Sequence, residues 1–355
     1  MRARDADQTT LFDEATPPRA PLPVVGEQKD IRYFAATARS VLNTPAATGM
    51  EFWSINPYVG CAFGCQYCYA RYAHRYVAER LNSESHDAKA DVLPTDELPP
   101  WLAFERRILV KREAPQILER ALLRPAVYDA LHRETVVIGT ATDPYQPAER
   151  HFRVTRGVLE VLAEHRDLSI TIITKSPLVT RDIDVLSRIR DRSRLSVHVS
   201  LITVDRELAR RIEPRAPTPD ARLRAIARLR ANDIHVGVNC MPVLPGITDS
   251  PEQIEELVMR IAETKATHIG ACALRLQSTA RDKYLPFIAD EFPELSEKYR
   301  RAYARSHQVG QRYRDGLRAR FVALCGKYGL SFGWRNTGEP EDAEAVRAED
   351  QFSLL

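Results

Sequence analysis

The sequence predicts an α/β fold: a partial (β/α)6 TIM-like barrel of parallel strands with outer helices, plus a C-terminal helical extension. Three observations carry this expectation. Six short β-branched or apolar runs recur between residues 52 and 275. Stretches with helical spacing lie between them. Polar and ligand-type residues stand at the ends of several runs. Alternating strands and helices build a parallel sheet with helices packed outside it. Six units are too few for a closed eight-unit barrel. From the alternation alone, an open or partial barrel and a doubly wound sheet both remain. Either one places ligands at the C-terminal ends of its strands.

Residues 1–30 carry Pro17, Pro18, Pro21 and Pro23 with little apolar periodicity, and read as disordered. The barrel is expected over 31–290. Its first strand, FWSINPY (52–58), leads into a cysteine-bearing loop over 56–76. NSESHDAKADVLPTDELPP (82–100) is polar, ends in Pro-Pro and reads as a loop. The strands TVVIGTA (135–141), LSITIIT (168–174), LSVHVSL (195–201), IHVGVNC (234–240) and HIGACALR (268–275) follow. Between them, VTRGVLEVLAEH (154–165) puts Val158, Val161 and Leu162 on one helical face. PDARLRAIARLRAN (219–232) repeats Leu223, Ile226 and Leu229. SPEQIEELVMRIAET (250–264) opens with a Ser N-cap, a proline at the first helical position and Gln253 to complete a capping box. Residues 291–335 are expected to form a helical lid region, and 336–355 an acidic tail.

The net charge of +3 over 355 residues is nearly balanced, which argues against a protein that coats nucleic acid by bulk charge. No apolar run approaches the roughly 20 residues of a membrane span. The start, MRARDADQTTLFDE, mixes both charge signs and has no apolar signal core. The expected location is the cytoplasm, with no membrane partner. Thiols stay reduced there, so clustered cysteines point to metal or redox chemistry.

Half of the six cysteines fall in NPYVGCAFGCQYCYARYAHRY (56–76), as Cys61, Cys65 and Cys68. Thiolates suit zinc, copper(I) or iron–sulfur clusters. A structural zinc site wants four ligands, commonly in two close pairs. Here there is one triple, with His74 the nearest candidate for a fourth ligand. Cys240, Cys272 and Cys325 are isolated in sequence. A four-iron cluster held by three cysteines keeps one iron open to a ligand. Gly60 and Gly64 suit a loop that wraps such a group, because glycine tolerates positive φ.

The C-x3-C-x2-C triple resembles the signature of radical S-adenosylmethionine (SAM) enzymes. The wider stretch NPYVGCAFGCQYCYAR, with GTATDPYQPAE (139–149) and IEPRAPTPDARLRAI (212–226), resembles the spore photoproduct lyase-like branch, also called DNA repair photolyase-like. The resemblance spans about residues 50–290. It implies a [4Fe-4S] cluster on Cys61, Cys65 and Cys68, with SAM chelating the fourth iron. It also implies reductive cleavage of SAM to a 5′-deoxyadenosyl radical, an external flavodoxin- or ferredoxin-like reductant, and hydrogen abstraction from a substrate. Nucleic-acid lesions, peptides and small metabolites are all candidate substrates.

Within that frame Tyr67 is expected near the SAM adenine. Thr140, Thr142 and Asp143 stand where the superfamily receives the SAM amino group, although Asp143-Pro144 is also a turn signal. Lys175 ends the third strand and is a candidate for the SAM carboxylate or a substrate phosphate, or else a surface lysine. Ser200 is a candidate for the ribose, or a small core residue. Asn239 and Met241 end the fifth strand as cofactor-binding candidates, and the VLPGITDS turn that follows is a candidate for contacting the adenine. Glu213 and Arg215 lie in a stiff proline-rich loop, as a substrate-side charge pair or a surface ion pair. Spore photoproduct lyases donate a hydrogen atom from a cysteine just after the second strand. GTATDP carries none, a departure that tells against the thymine-dimer reaction. Cys240 is the candidate replacement, against its reading as a small buried hydrophobe. A second class stays open: a non-enzymatic zinc- or iron–sulfur-binding nucleic-acid protein. Its support is the arginine-rich, aromatic-containing stretches 70–80 and 300–320, which fit solvated helices better.

Overall fold

A computed structural model describes residues 23–71 and 98–333. Its strands are β1 (Val24–Gln28), β2 (Ile31–Ala35), β3 (Leu42–Asn43), β4 (Trp53–Ile55), β5 (Tyr58–Val59), β6 (Arg107–Val110), β7 (Val136–Ile138), β8 (Ser169–Thr174), β9 (Arg194–Ser200), β10 (His235–Val243), β11 (His268–Ala273) and β12 (Ser331–Phe332). The main sheet runs β3-β4-β7-β8-β9-β10-β11-β12. From β4 to β12 every neighbouring pair is parallel, and β3 adds antiparallel to β4. The strand order follows the chain without reversing. A doubly wound sheet has a reversal point, so that alternative falls and the open barrel stands.

Helices Val154–Ala163, Ile183–Arg190, Pro219–Arg230 and Pro251–Ala262 make successive crossovers. The spacing argument holds in their burial: Val158 and Leu162 are inaccessible, as are Ile226 and Leu229, while Val161 sits at the edge of its face. Ser250 and Gln253 form the capping box, with Gln253 N donating to Ser250 Oγ at 3.2 Å and Ser250 N to Gln253 Oε1 at 3.3 Å. Such caps contribute about 1 kcal/mol. Both faces of the sheet are covered, which explains continuous apolar strands such as Val136-Val137-Ile138 in place of alternating ones.

Inside the barrel, side chains form layers. His198, Gly237 and His268 stand in register across β9, β10 and β11. A Cβ on Gly237 would lie 2.2 Å from His268 Nε2, so glycine makes room for the imidazole. Two residues further along, Ser200, Asn239 and Gly270 form the next layer, toward the strand ends.

The expectations differ from the structure at three places. Residues 24–28, placed in a disordered segment, form β1. Together with β2, β6 and β5 it builds a second sheet of order β1-β2-β6-β5. The run 52–58 breaks at Asn56-Pro57 into β4 and β5, which belong to different sheets. Proline cannot donate to a ladder, and the Asn56 side chain is bonded to the turn after β7. The region 291–335 is not a lid throughout. Helix Gln311–Lys327 packs on β11 and β12 as a further crossover. The helix that leans on the turn Tyr69–Arg71 and on helix Pro100–Arg106 is Ser278–Glu291, which begins before that boundary. The segment 82–97 and the acidic tail lie outside the described residues. Among the described residues no helix is long and apolar enough to cross a membrane.

Candidate functional site

A cavity of about 530 Å³ opens at the C-terminal ends of the strands. That is the size of a small-molecule site. Cys61, Cys65 and Cys68 line it, together with Tyr67, Thr140, Thr142, Asp143, Lys175, Ser200, Asn239 and Met241. All three thiols and all eight expected cofactor-contacting residues therefore meet in one space, from several strand ends and one loop.

The loop's shape is fixed by its neighbours. Gly60 has φ +86°, and a Cβ there would meet Phe104 O at 2.6 Å. Gly64 has φ +67°, and a Cβ there would meet Arg215 Nη2 at 2.5 Å. Gln146, fully buried, accepts from Ala62 N at 2.9 Å and donates to Gly60 O at 3.0 Å. Thr142 Oγ1 donates to the same carbonyl at 2.6 Å. From the other side, Arg215 Nε donates to Ala62 O and Arg71 Nη2 to Cys65 O, each at 2.6 Å. Glu105 ties the two arginines together, 2.6 Å from each. The GTATDPYQPAE turn and IEPRAP loop thus act first as clamps on the cysteine loop.

The polar residues sort by what they touch. Asp143 accepts from Tyr145 N at 2.9 Å, Thr174 Oγ1 at 2.7 Å and Lys175 N at 2.7 Å. It makes the turn that its Asp-Pro sequence signals and also borders the cavity. Burial raises its pKa despite these donors. The Thr140 hydroxyl is held by Asn56 Nδ2 at 3.1 Å. Glu213 lies behind the cavity wall, buried, where it accepts from the Tyr67 hydroxyl and from Arg222. Lys175 Nζ stands 4.0 Å from Glu213 Oε1 and 5.8 Å from the Tyr67 ring centroid. Burial pushes the Glu213 carboxyl up, but Arg222 and Lys175 outweigh it and hold it below the usual range. Lys175 is thus a cavity cation, not a surface lysine, and Glu213 and Arg215 form no pair with each other.

Cys240 does not fit the role considered for it. Asn239 and Met241 line the cavity, so the residue between them faces the other side of the strand. Its thiol is inaccessible, near Cys325 on helix Gln311–Lys327. Cys272, one strand over, borders the cavity instead. It stands one residue before the end of β11. Arg71, Glu105, Gln146 and Arg222 were missed because nothing local marks a residue that acts by clamping a distant loop.

The donor set fits an iron–sulfur cluster. Burial pushes the Cys61 thiol up to about 12, so ionising it takes a cation beside it. Three thiols around one space suit a multinuclear cluster, where each binds a different iron. His74, the fourth ligand a zinc site needs, lies outside the described residues.

A model of the radical SAM superfamily matches residues 55–259. An uncharacterized protein of Mycobacterium tuberculosis is 33% identical over 327 residues, covering 92% of this chain and 88% of its own. An uncharacterized protein of Methanocaldococcus jannaschii is 25% identical over 212 residues, covering 60% of this chain and 68% of that one. Among solved structures, a spore photoproduct lyase variant with bound AdoMet and a dinucleoside spore photoproduct aligns with a TM-score of 0.59 at 13% identity. The alignment covers 87% of this chain and 86% of the lyase, a likeness of fold.

Proposed function

Because the chain belongs to the radical SAM superfamily, we propose that it is an enzyme that holds a [4Fe-4S] cluster on Cys61, Cys65 and Cys68 and binds SAM beside it. When bound and reduced, these cofactors supply a 5′-deoxyadenosyl radical that takes hydrogen from a substrate. The observation that carries this reading is the shared cavity: three thiols and the strand-end polar residues border one ligand-sized space.

The chain's own residues bind, orient and shield. Three cysteines leave one iron open, which is where an amino acid can chelate. Lys175, the cavity cation, pairs with the SAM carboxylate. Asp143 and Thr140 face the amino group, and charge favours a carboxylate beside an ammonium. Tyr67, Asn239 and Met241 flank the adenine, and Ser200 the ribose. Glu213 fixes the Tyr67 hydroxyl and keeps Lys175 charged. The clamps on Gly60, Ala62 and Cys65 hold the thiols in place before any metal arrives, the preorganisation a site of this kind needs. The electron comes from a flavodoxin- or ferredoxin-like donor.

The test is metal and sulfide analysis after anaerobic reconstitution. The wild type should take up about four irons and four sulfides per chain. Alanine at Cys61, Cys65 or Cys68 should abolish the cluster spectrum. Stoichiometric zinc without sulfide, lost in those variants, would return the chain to the non-enzymatic class.

A further inference from the structure

Three of the chain's nine histidines meet inside the barrel. His198 and His268 stand edge to face with ring centroids 4.9 Å apart, and His235 stacks on His268 at 5.4 Å. Polar rings are an unfavourable choice for a buried layer, and His198 and His268 are each 1% exposed. The arrangement also needs Gly237 in mid-strand, where glycine weakens a sheet. Departures from local preference of this kind gather at functional sites.

His198 is where the layer reaches the cavity. Its Nδ1 lies 3.2 Å from Oδ1 of Asn239, which lines the cavity one layer up. An amide oxygen can only accept, so Nδ1 carries the hydrogen and donates it. That bond decides which way the amide faces. With Oδ1 turned down to the histidine, the Asn239 Nδ2 group is the part left for a ligand, and among the described residues it has no hydrogen-bond partner. The Asn239 backbone is held as well, since its carbonyl accepts from Leu201 N at 3.0 Å. His198 is packed in turn against His268, whose Nδ1 meets Thr267 Oγ1 at 2.9 Å.

We propose that His198 is a positioning residue for the cofactor: it holds the Asn239 amide so that only its amino group faces the cavity, where it donates to an acceptor nitrogen of the SAM adenine. The proposal rests on reading the cavity as the SAM site. Adenine presents N3 and N7 as acceptors. An amide free to turn would also offer its oxygen, which such lone pairs repel.

The experiment measures SAM dissociation constants by calorimetry on the anaerobically reconstituted, unreduced full chain. His198→Phe keeps a ring in the layer and removes the donor, and should weaken SAM binding about tenfold. His198→Asn leaves a void but places a donor one bond past Cγ, where Nδ1 stood, and should bind within about threefold of the wild type. A packing role predicts the opposite order, because the void is in the Asn variant. The double variant His198→Phe with Asn239→Ala should bind as Asn239→Ala alone, since His198 acts through that amide. His235→Gln, four residues and about 13 Å from Asn239 along β10, should bind like the wild type. His198→Leu carries the test if His198→Phe fails to fold. Undiminished binding in His198→Phe, weaker binding in His198→Asn than in His198→Phe, independent losses in the double variant, or an equal loss in His235→Gln overturns the proposal. A cluster-loaded wild type that binds no SAM overturns the reading of the cavity itself, and the proposal with it.

Discussion

Buried charge is the residue-scale theme. Glu213 and Arg222 are each inaccessible and paired, with Tyr67 and Lys175 adding a hydroxyl and a second cation. Removing one member leaves the other charged and buried, which costs about 3–5 kcal/mol. Glu213→Gln should therefore lower the unfolding free energy by that amount, seen as a lower denaturant midpoint with little change in slope. An exposed-pair change such as Arg301→Gln, which loses only Glu297, should stay within about 0.5 kcal/mol. His198 gives a pH dependence. Burial pushes its imidazole down from 6.5 to about 4, with its hydrogen bond to Asn239 opposing and His235 adding. The unfolded chain takes up the proton near pH 6.5 and the native chain only near 4. Acidification across that window therefore favours unfolding, by about 3 kcal/mol from this group. Urea melts from about pH 7 to 4 should show the slope, and His198→Gln should flatten it. An unchanged slope would place His198 in contact with water. The same histidine touches Asn239, so the layer beneath the cavity and the cavity wall are one hydrogen-bonded unit.

At the scale of elements, the cysteine loop is made by contacts from segments far away in the chain. The turn after β7 supplies Thr142 and Gln146, the connection after β9 supplies Arg215, and helix Pro100–Arg106 supplies Glu105. Gln146→Leu deletes a buried donor–acceptor pair and leaves Ala62 N without its partner. The expected loss is about 1–3 kcal/mol, with iron uptake reduced while far-ultraviolet dichroism stays native. Full iron loading in that variant would mean the loop holds its shape alone. Sequence reading reached the strands here because both faces of the sheet are covered and their runs are rich in β-branched and apolar residues. It reached the cysteines because three thiols in eight positions are a local signal. It missed the clamps because Gln146, Glu105 and Arg71 differ from surface residues only in which distant backbone they meet. It also misread Cys240, since strand position fixes depth but the pleat decides the face, and Asn239 and Met241 already occupied the cavity side.

For the molecule as a whole, the open barrel explains why site residues so far apart in sequence converge. Parallel strands in chain order bring the ends of β7, β8, β9, β10 and β11 around one mouth, and the first connection carries the thiols into it. The alternation in the sequence predicted that arrangement but left the reversal point open, and only the pairing pattern removed it. The second sheet was illegible because its strands are short and interrupted, and Asn56-Pro57 joins β4 and β5 into an apparent single run. The central claim is that three thiols and the cavity beside them form one SAM-cleaving site. Its most direct measurement is 5′-deoxyadenosine formation from SAM by the reconstituted, dithionite-reduced protein under anaerobic conditions. The wild type should produce it, and the Cys61, Cys65 and Cys68 alanine variants should not. A fully loaded wild-type cluster that leaves SAM intact, or a triple variant that still cleaves it, would contradict the account.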